Sequence, residues 1–181
     1  MKPIPSVHKL FKPRAELLLH PNIPKPLHGV NPRTVLGQGW WDKVRKLAYK
    51  QHGFRCHACG VWAGSAKFKK ILHAHEVYDI NYLTGEVRLK EIVALCWACH
   101  MYIHSGMLKT LIKKKQITTK VYKAVLKHGR DTLRAAGFKR FRPAKSKVFA
   151  AWSKWRLIFQ DGTVIQTPYK DYEEWRKKYG R

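Results

Sequence analysis

Residues 94–106, ALCWACHMYIHSG, place two cysteines and two histidines between Cys96 and His104. Thiolate and imidazole are the ligands that borderline transition metals prefer, so this density points to metal chemistry. Cys96 and Cys99 form one C-x-x-C pair. Cys56 and Cys59 form the other, with 36 residues between the pairs, and the chain has no further cysteine. Each pair can bite a metal from a tight turn or a helix start, and together they close a tetrahedral shell of four thiolates around Zn²⁺. Such a shell is structural: it leaves no position open for chemistry, and it would pin residues 97–105 against the segment around residue 56. The N-terminus, MKPIPSVHKLFKPRAELLLHPNIPKP, is too broken by proline for a secretory signal. Zinc in a reducing compartment is therefore expected over disulfides.

The histidines are left over from that count. On a helix, His100 and His104 stand four residues apart, so their rings leave one face about one turn apart and can grip a single ion. The upstream stretch LHAHEVYDI puts His73 and His75 on one face of an extended strand, with Glu76 on the other. A strand crossing this helix would bring His75 beside His100 and His104. That makes a second ligand set, free of thiolate and open.

Positioning these groups requires a hairpin and a helix. FKKILHAHEVYDI reads as a strand, LTG as a turn, EVRLKEIVALC as the returning strand, and residues 97–105 as a helix stopped by Gly106. Upstream, GWWDKVRKLAYKQHGF spaces Trp40, Trp41, Val44, Leu47 and Ala48 as a helix, with Gly53 as its stop and the tryptophans as core anchors. Residues 1–32 hold seven prolines and read as an extended basic arm with a short helix at RAELLLH. At the other end, WSKWRLIFQDGTVIQTPYKDYEEWRKKYGR reads as a hairpin about QDG and a short helix. Asp171 and Glu174 have the spacing of a reciprocal cap, and Trp152, Trp155, Tyr172 and Trp175 supply a small aromatic core. The expected fold class is α+β in four parts: the arm 1–32, a zinc-stapled core 33–108, a basic helical segment 109–147, and a hairpin–helix module 148–181.

Charge supplies a partner. Lys and Arg number 37 against 11 Asp and Glu, a formal net charge of +26. An excess of this size is best explained by a polyanion, most simply nucleic acid. No apolar run approaches the ~18 residues of a membrane span. Between 109 and 147 there are 14 Lys or Arg and one acid, Asp131. Lys113, Lys114, Lys115, Lys120, Lys123, Lys127, Arg130, Arg134, Lys139, Arg140 and Arg142 form the candidate phosphate-backbone track, on one or two amphipathic helices.

With LHAHEV between two C-x-x-C pairs and CHMYIHSG after it, residues 31–108 resemble the zinc-stapled branch of the HNH (ββα-metal, His-Me finger) nucleases of phages and bacteria. The resemblance implies a ββα-metal core and metal-dependent hydrolysis of DNA phosphodiester bonds; one such site cuts one strand, which leaves both a nickase and a double-strand cutter open. It implies a catalytic divalent cation, Mg²⁺, Mn²⁺ or Zn²⁺, held by His75, His100 and His104. It also implies a cytoplasmic protein of a bacterial or phage-infected cell, not secreted, with DNA as partner and no organic cofactor. Two positions depart from the family. Where it has a metal ligand followed by a histidine base, this chain has His75-Glu76, so Glu76 stands as base. In the alternative register His75 is the base, and His73 is a third candidate. Where the family has a middle Asn, Glu91 stands, able to fix the inter-strand loop or add a ligand. A nucleic-acid-binding protein that keeps this fold without turnover is the alternative.

Overall fold

The computed structural model describes residues 11–180, so the first ten residues of the expected arm lie outside them. The architecture is α+β. Five α-helices accompany a four-stranded mixed sheet in the order β1-β2-β3-β4, with β1 Leu72–Asn81, β2 Glu86–Cys96, β3 Arg156–Ile158 and β4 Val164–Gln166. The helices are α1 Pro32–Gln51, α2 Trp97–Ile103, α3 Ser105–Lys113, α4 Thr119–Ala135 and α5 Tyr172–Tyr179. The chain divides into two interleaved compact units. The first holds the described residues up to His20, then Arg45–His75 and Val93–Ala144. The second holds Pro21–Val44, Glu76–Ile92 and the described residues from Lys145 onward.

In the first unit the two C-x-x-C motifs are set by different local devices. Cys56–Gly60 forms a tight knuckle, closed by Cys56 N–H to the Val61 carbonyl at 2.9 Å and by Gly60 N–H to the Cys56 carbonyl at 2.8 Å. Gly60 turns the chain at φ +77, where a side chain would be strained. The second motif straddles the junction of β2 and α2, with Cys96 as the helix N-cap. His57 N–H donates to the Ala94 carbonyl at 2.8 Å and ties the knuckle to β2. Leu18, Val93, Leu95, Ile103, Leu108, Val125 and Leu133 are all fully buried and close this core.

The expected helix over 97–105 ends earlier. α2 stops at Ile103, His104 caps it with φ −85 and ψ 53, and α3 begins at Ser105, carrying Gly106 inside its first turn. Burial of Leu108 in the first unit's core draws the chain onward and overrides the glycine's stop signal. α4 is capped by Thr118, whose hydroxyl accepts from Val121 N–H at 3.3 Å, and buries Val125, Gly129 and Leu133 at helical spacing.

The second unit packs Leu27, Val30, Val87, Leu89, Ala150, Trp155, Leu157 and Phe159 into one cluster. β3 runs parallel to β2, pairing Glu86 with Arg156, Val87 with Leu157 and Arg88 with Ile158, and β4 returns antiparallel to β3. A Cβ on Gly85 would stand 3.1 Å from the Lys154 carbonyl carbon, so the hairpin turn accepts β3 closely only because it has none. Asp171 caps α5 by accepting from Glu174 N–H at 2.9 Å. Glu174 reaches back to Lys170 N–H at 2.7 Å, one residue before the cap's own amide. Trp155 is fully buried, and Trp152, Tyr172 and Trp175 stand 5.5–6.4 Å apart by ring centroid.

α1 opens with a short turn from Pro32, Asn31 Oδ1 accepting from Thr34 N–H at 3.0 Å, breaks at Gly37, φ 83, and past that break runs through GWW as expected. Ala48 is buried as expected, whereas Leu47 is 55% exposed: it flanks the i, i+4 line of Trp40, Val44 and Ala48. The short helix expected at RAELLLH is a 3-10 turn, Ala15–Leu19.

Candidate metal centres

Cys56, Cys59, Cys96 and Cys99 converge so that their sulfurs all lie within 4.8 Å of one another. The Cys59–Cys96 pair is separated by 3.8 Å, far beyond a disulfide and close to the ~3.8 Å edge of a tetrahedron with Zn–S bonds of ~2.3 Å. Three of the four residues are buried. Crowded this way, the sulfurs cannot all ionise unaided. Hydrogen bonds from Cys56 and then Cys59 lower the pKa of Cys96, while those from Cys56 and its neighbours raise the pKa of Cys59 and of Cys99. A divalent cation removes that conflict, and this donor set suits zinc.

His75, His100 and His104 form a second group within the same limit of 4.8 Å. His104 Nε2 lies 3.2 Å from His75 Nδ1, and ring centroids are separated by 4.6 Å for His100–His104, 5.1 Å for His75–His104 and 5.5 Å for His75–His100. Nitrogens around one cation at ~2.0–2.1 Å would be spaced by about 3.0–3.4 Å, so the closest pair already fits. Burial lowers the pKa of all three. For His75 the charges of His104, His100 and His20 add to it, and for His100 those of His104 and His73 help bring it to about 3. Neutral imidazole is the metal-binding form. His100 Nδ1 is buried with no hydrogen-bond partner among the described residues, a ring nitrogen that a bound cation would satisfy directly.

Of the other expected site residues, His73 lies beside this group: its ring stacks on His100 with centroids 5.2 Å apart. Burial, then Lys69, lowers its pKa. Glu76, next along β1 from His75, takes the opposite face of the strand, and burial raises its pKa. Glu91 lies on β2. Among the described residues no carboxylate joins either ligand group. Lys113, Lys114, Lys115, Lys120, Lys123, Lys127, Arg130, Arg134, Lys139, Arg140 and Arg142 are all exposed, on α3, α4 and the segments that follow them. Asp131 pairs with Lys127 at 2.5 Å and Arg134 at 3.1 Å.

Two histidines beside these centres escaped sequence reasoning. His20 stands edge-on to His75 with centroids 6.2 Å apart, and no local pattern links residues so distant. His128 faces the thiolates from α4. Its signal was legible: three residues after Val125 and five before Leu133, it sits on the helix's buried stripe.

No protein-family model, curated protein or solved structure matches the chain. Among the described residues no helix is long and apolar enough to cross a membrane.

Proposed function

We propose that the chain is a metal-dependent DNA endonuclease of the HNH (ββα-metal) kind, nicking one strand at a single site. The observation that carries this reading is the convergence of His75, His100 and His104 into a thiolate-free group, on a strand and helix stapled by four cysteines. A divalent cation bound there would supply charge stabilisation for the scissile phosphate and the leaving 3′ oxygen.

The protein's own residues do the rest. The three imidazoles, kept neutral by burial, would hold such an ion without cancelling its charge. His73, on the same strand face as His75 and stacked on His100, is unprotonated at neutral pH and accepts the proton of the attacking water. The exposed lysines and arginines of 113–142 neutralise the flanking phosphates.

The test is supercoiled plasmid with Mn²⁺ or Mg²⁺. The wild type should produce nicked circles, EDTA should stop it, and His75→Ala should bind DNA without cutting. One observation favours a second reading, a nucleic-acid-binding protein without turnover: no carboxylate joins the histidine group among the described residues. A wild type that binds DNA and never cuts under any divalent ion selects that reading.

A further inference from the structure

Beside the four thiolates stands a fifth residue of matching chemistry. His128 Nε2 lies 3.4 Å from Cys99 Sγ and 4.0 Å from Cys96 Sγ. Four thiolates already complete the tetrahedral shell of a zinc ion, so the imidazole is left outside it. Four thiolates and Zn²⁺ sum to a net charge of −2, and each sulfur keeps lone pairs that accept hydrogen bonds. A thiolate has no proton to give, so at this contact Nε2 carries the hydrogen and His128 is the donor.

The contact lies where α4 docks. Val125 and Leu133 are fully buried on either side of it. Gly129 lies so close under the Tyr102 ring of α2 that a Cβ there would clash with it. The outer face of α4 exposes Lys120, Lys123, Lys127, Arg130 and Arg134. One helix thus touches the metal ligands on its inner face and presents a row of cations on its outer face.

We propose that His128 is a positioning residue of the thiolate centre: its Nε2–H donates to the Cys99 sulfur, and through this bond bound zinc holds the basic helix α4 in its docked place. The donor draws negative charge off the sulfur and so retains the metal. In return, zinc keeps that sulfur a thiolate, a stronger acceptor than a thiol. Removing either partner loosens the other. This link does not depend on hydrolysis at the histidine trio, and its test uses no cleavage readout.

The experiment compares zinc-loaded full-length wild type with His128→Ala, His128→Gln and His128→Asn. Glutamine carries an N–H the same number of bonds from Cα as histidine Nε2, and asparagine is one bond short. Zinc transfer to a chromophoric chelator is followed together with amide exchange across residues 119–135. Expected is zinc release about 10–100-fold faster in His128→Ala, the usual cost of losing an outer-shell partner, with faster exchange in α4. His128→Gln should recover most of both, and His128→Asn little. Cobalt-substituted wild type should show the charge-transfer intensity of four thiolates. Wild-type zinc retention and α4 protection in His128→Ala would overturn the proposal. So would a cobalt spectrum of three thiolates and one imidazole in the wild type. Should His128→Ala fail to fold, the Gln and Asn variants decide: equal behaviour of the two removes the directed hydrogen bond.

Discussion

Cys99 and His100 are adjacent on α2, yet they serve ligand groups of opposite electrical character. The cysteine group, three of its four residues buried, over-neutralises a divalent ion and leaves it nothing to attract. The histidine group has one buried residue and two half-buried ones, and no carboxylate joins it among the described residues. A divalent ion held by three neutral rings keeps its full charge for an anionic ligand such as a phosphate. The comparison teaches that net ligand charge and access, more than ligand count, decide whether a bound cation would be saturated by its ligands or would keep charge for a further anionic one.

That contrast can be broken most severely at the cysteines. Cys59→Ser should release zinc and unfold the first unit, since structural zinc contributes on the order of 10–16 kcal/mol to folding in small zinc-finger peptides. Metal analysis and amide exchange would register it; a folded, zinc-retaining variant would refute the structural assignment. Next in size, His75→Ala should lower plasmid nicking by more than about 100-fold, beyond the usual outer-shell loss, while zinc content at the cysteines stays unchanged. If the thiolate zinc leaves as well, the two groups are one energetic unit and the contrast fails.

Acid should act on the histidine group through protons. His100 falls from 6.5 to about 3 in the fold, and His75, His104 and His73 shift the same way. Between these values the unfolded chain binds more protons than the native one, so stability is complete above pH 6.5 and declines as the pH falls toward about 3. Denaturant titrations across that range should show the decline, with a shallower slope for His100→Gln. An identical slope would mean that another group sets the acid limit. The smallest effects belong to the exposed cations. Lys127→Ala or Arg130→Ala should weaken DNA binding evenly across sequences and reduce the log–log salt slope by about 1 each. An unchanged slope would take that residue off the phosphate track.

The features readable in the sequence were those fixed by short-range geometry. The C-x-x-C spacing, the His100–His104 step and the alternation around His75 each depend on one helix turn or one strand pleat, and all seven residues fall into the two expected groups. The strand read at EVRLKEIVALC is β2, residue for residue. What escaped depends on distant partners. The parallel pairing of β3 with β2 joins residues 70 apart, Glu86 and Arg156, and leaves no local periodicity. His128 meets Cys99 across 29 residues. Gly106 was misread as a stop because the burial of Leu108 keeps the chain helical past it, in α3.

The place of β3 bears on how this protein can be dissected. Residues 31–108 look self-sufficient on paper, yet cutting there removes Trp155 and Leu157, both fully buried, and strips the hydrogen-bonding edge of β2 at Glu86–Arg88. A fragment trimmed to that span would offer a bare strand margin and an uncovered Val87 to other copies of itself, the condition under which sheets stick together. Expression of residues 31–108 alone should therefore yield aggregates, the more so because it also drops Leu18, Val125 and Leu133 from the first unit's core.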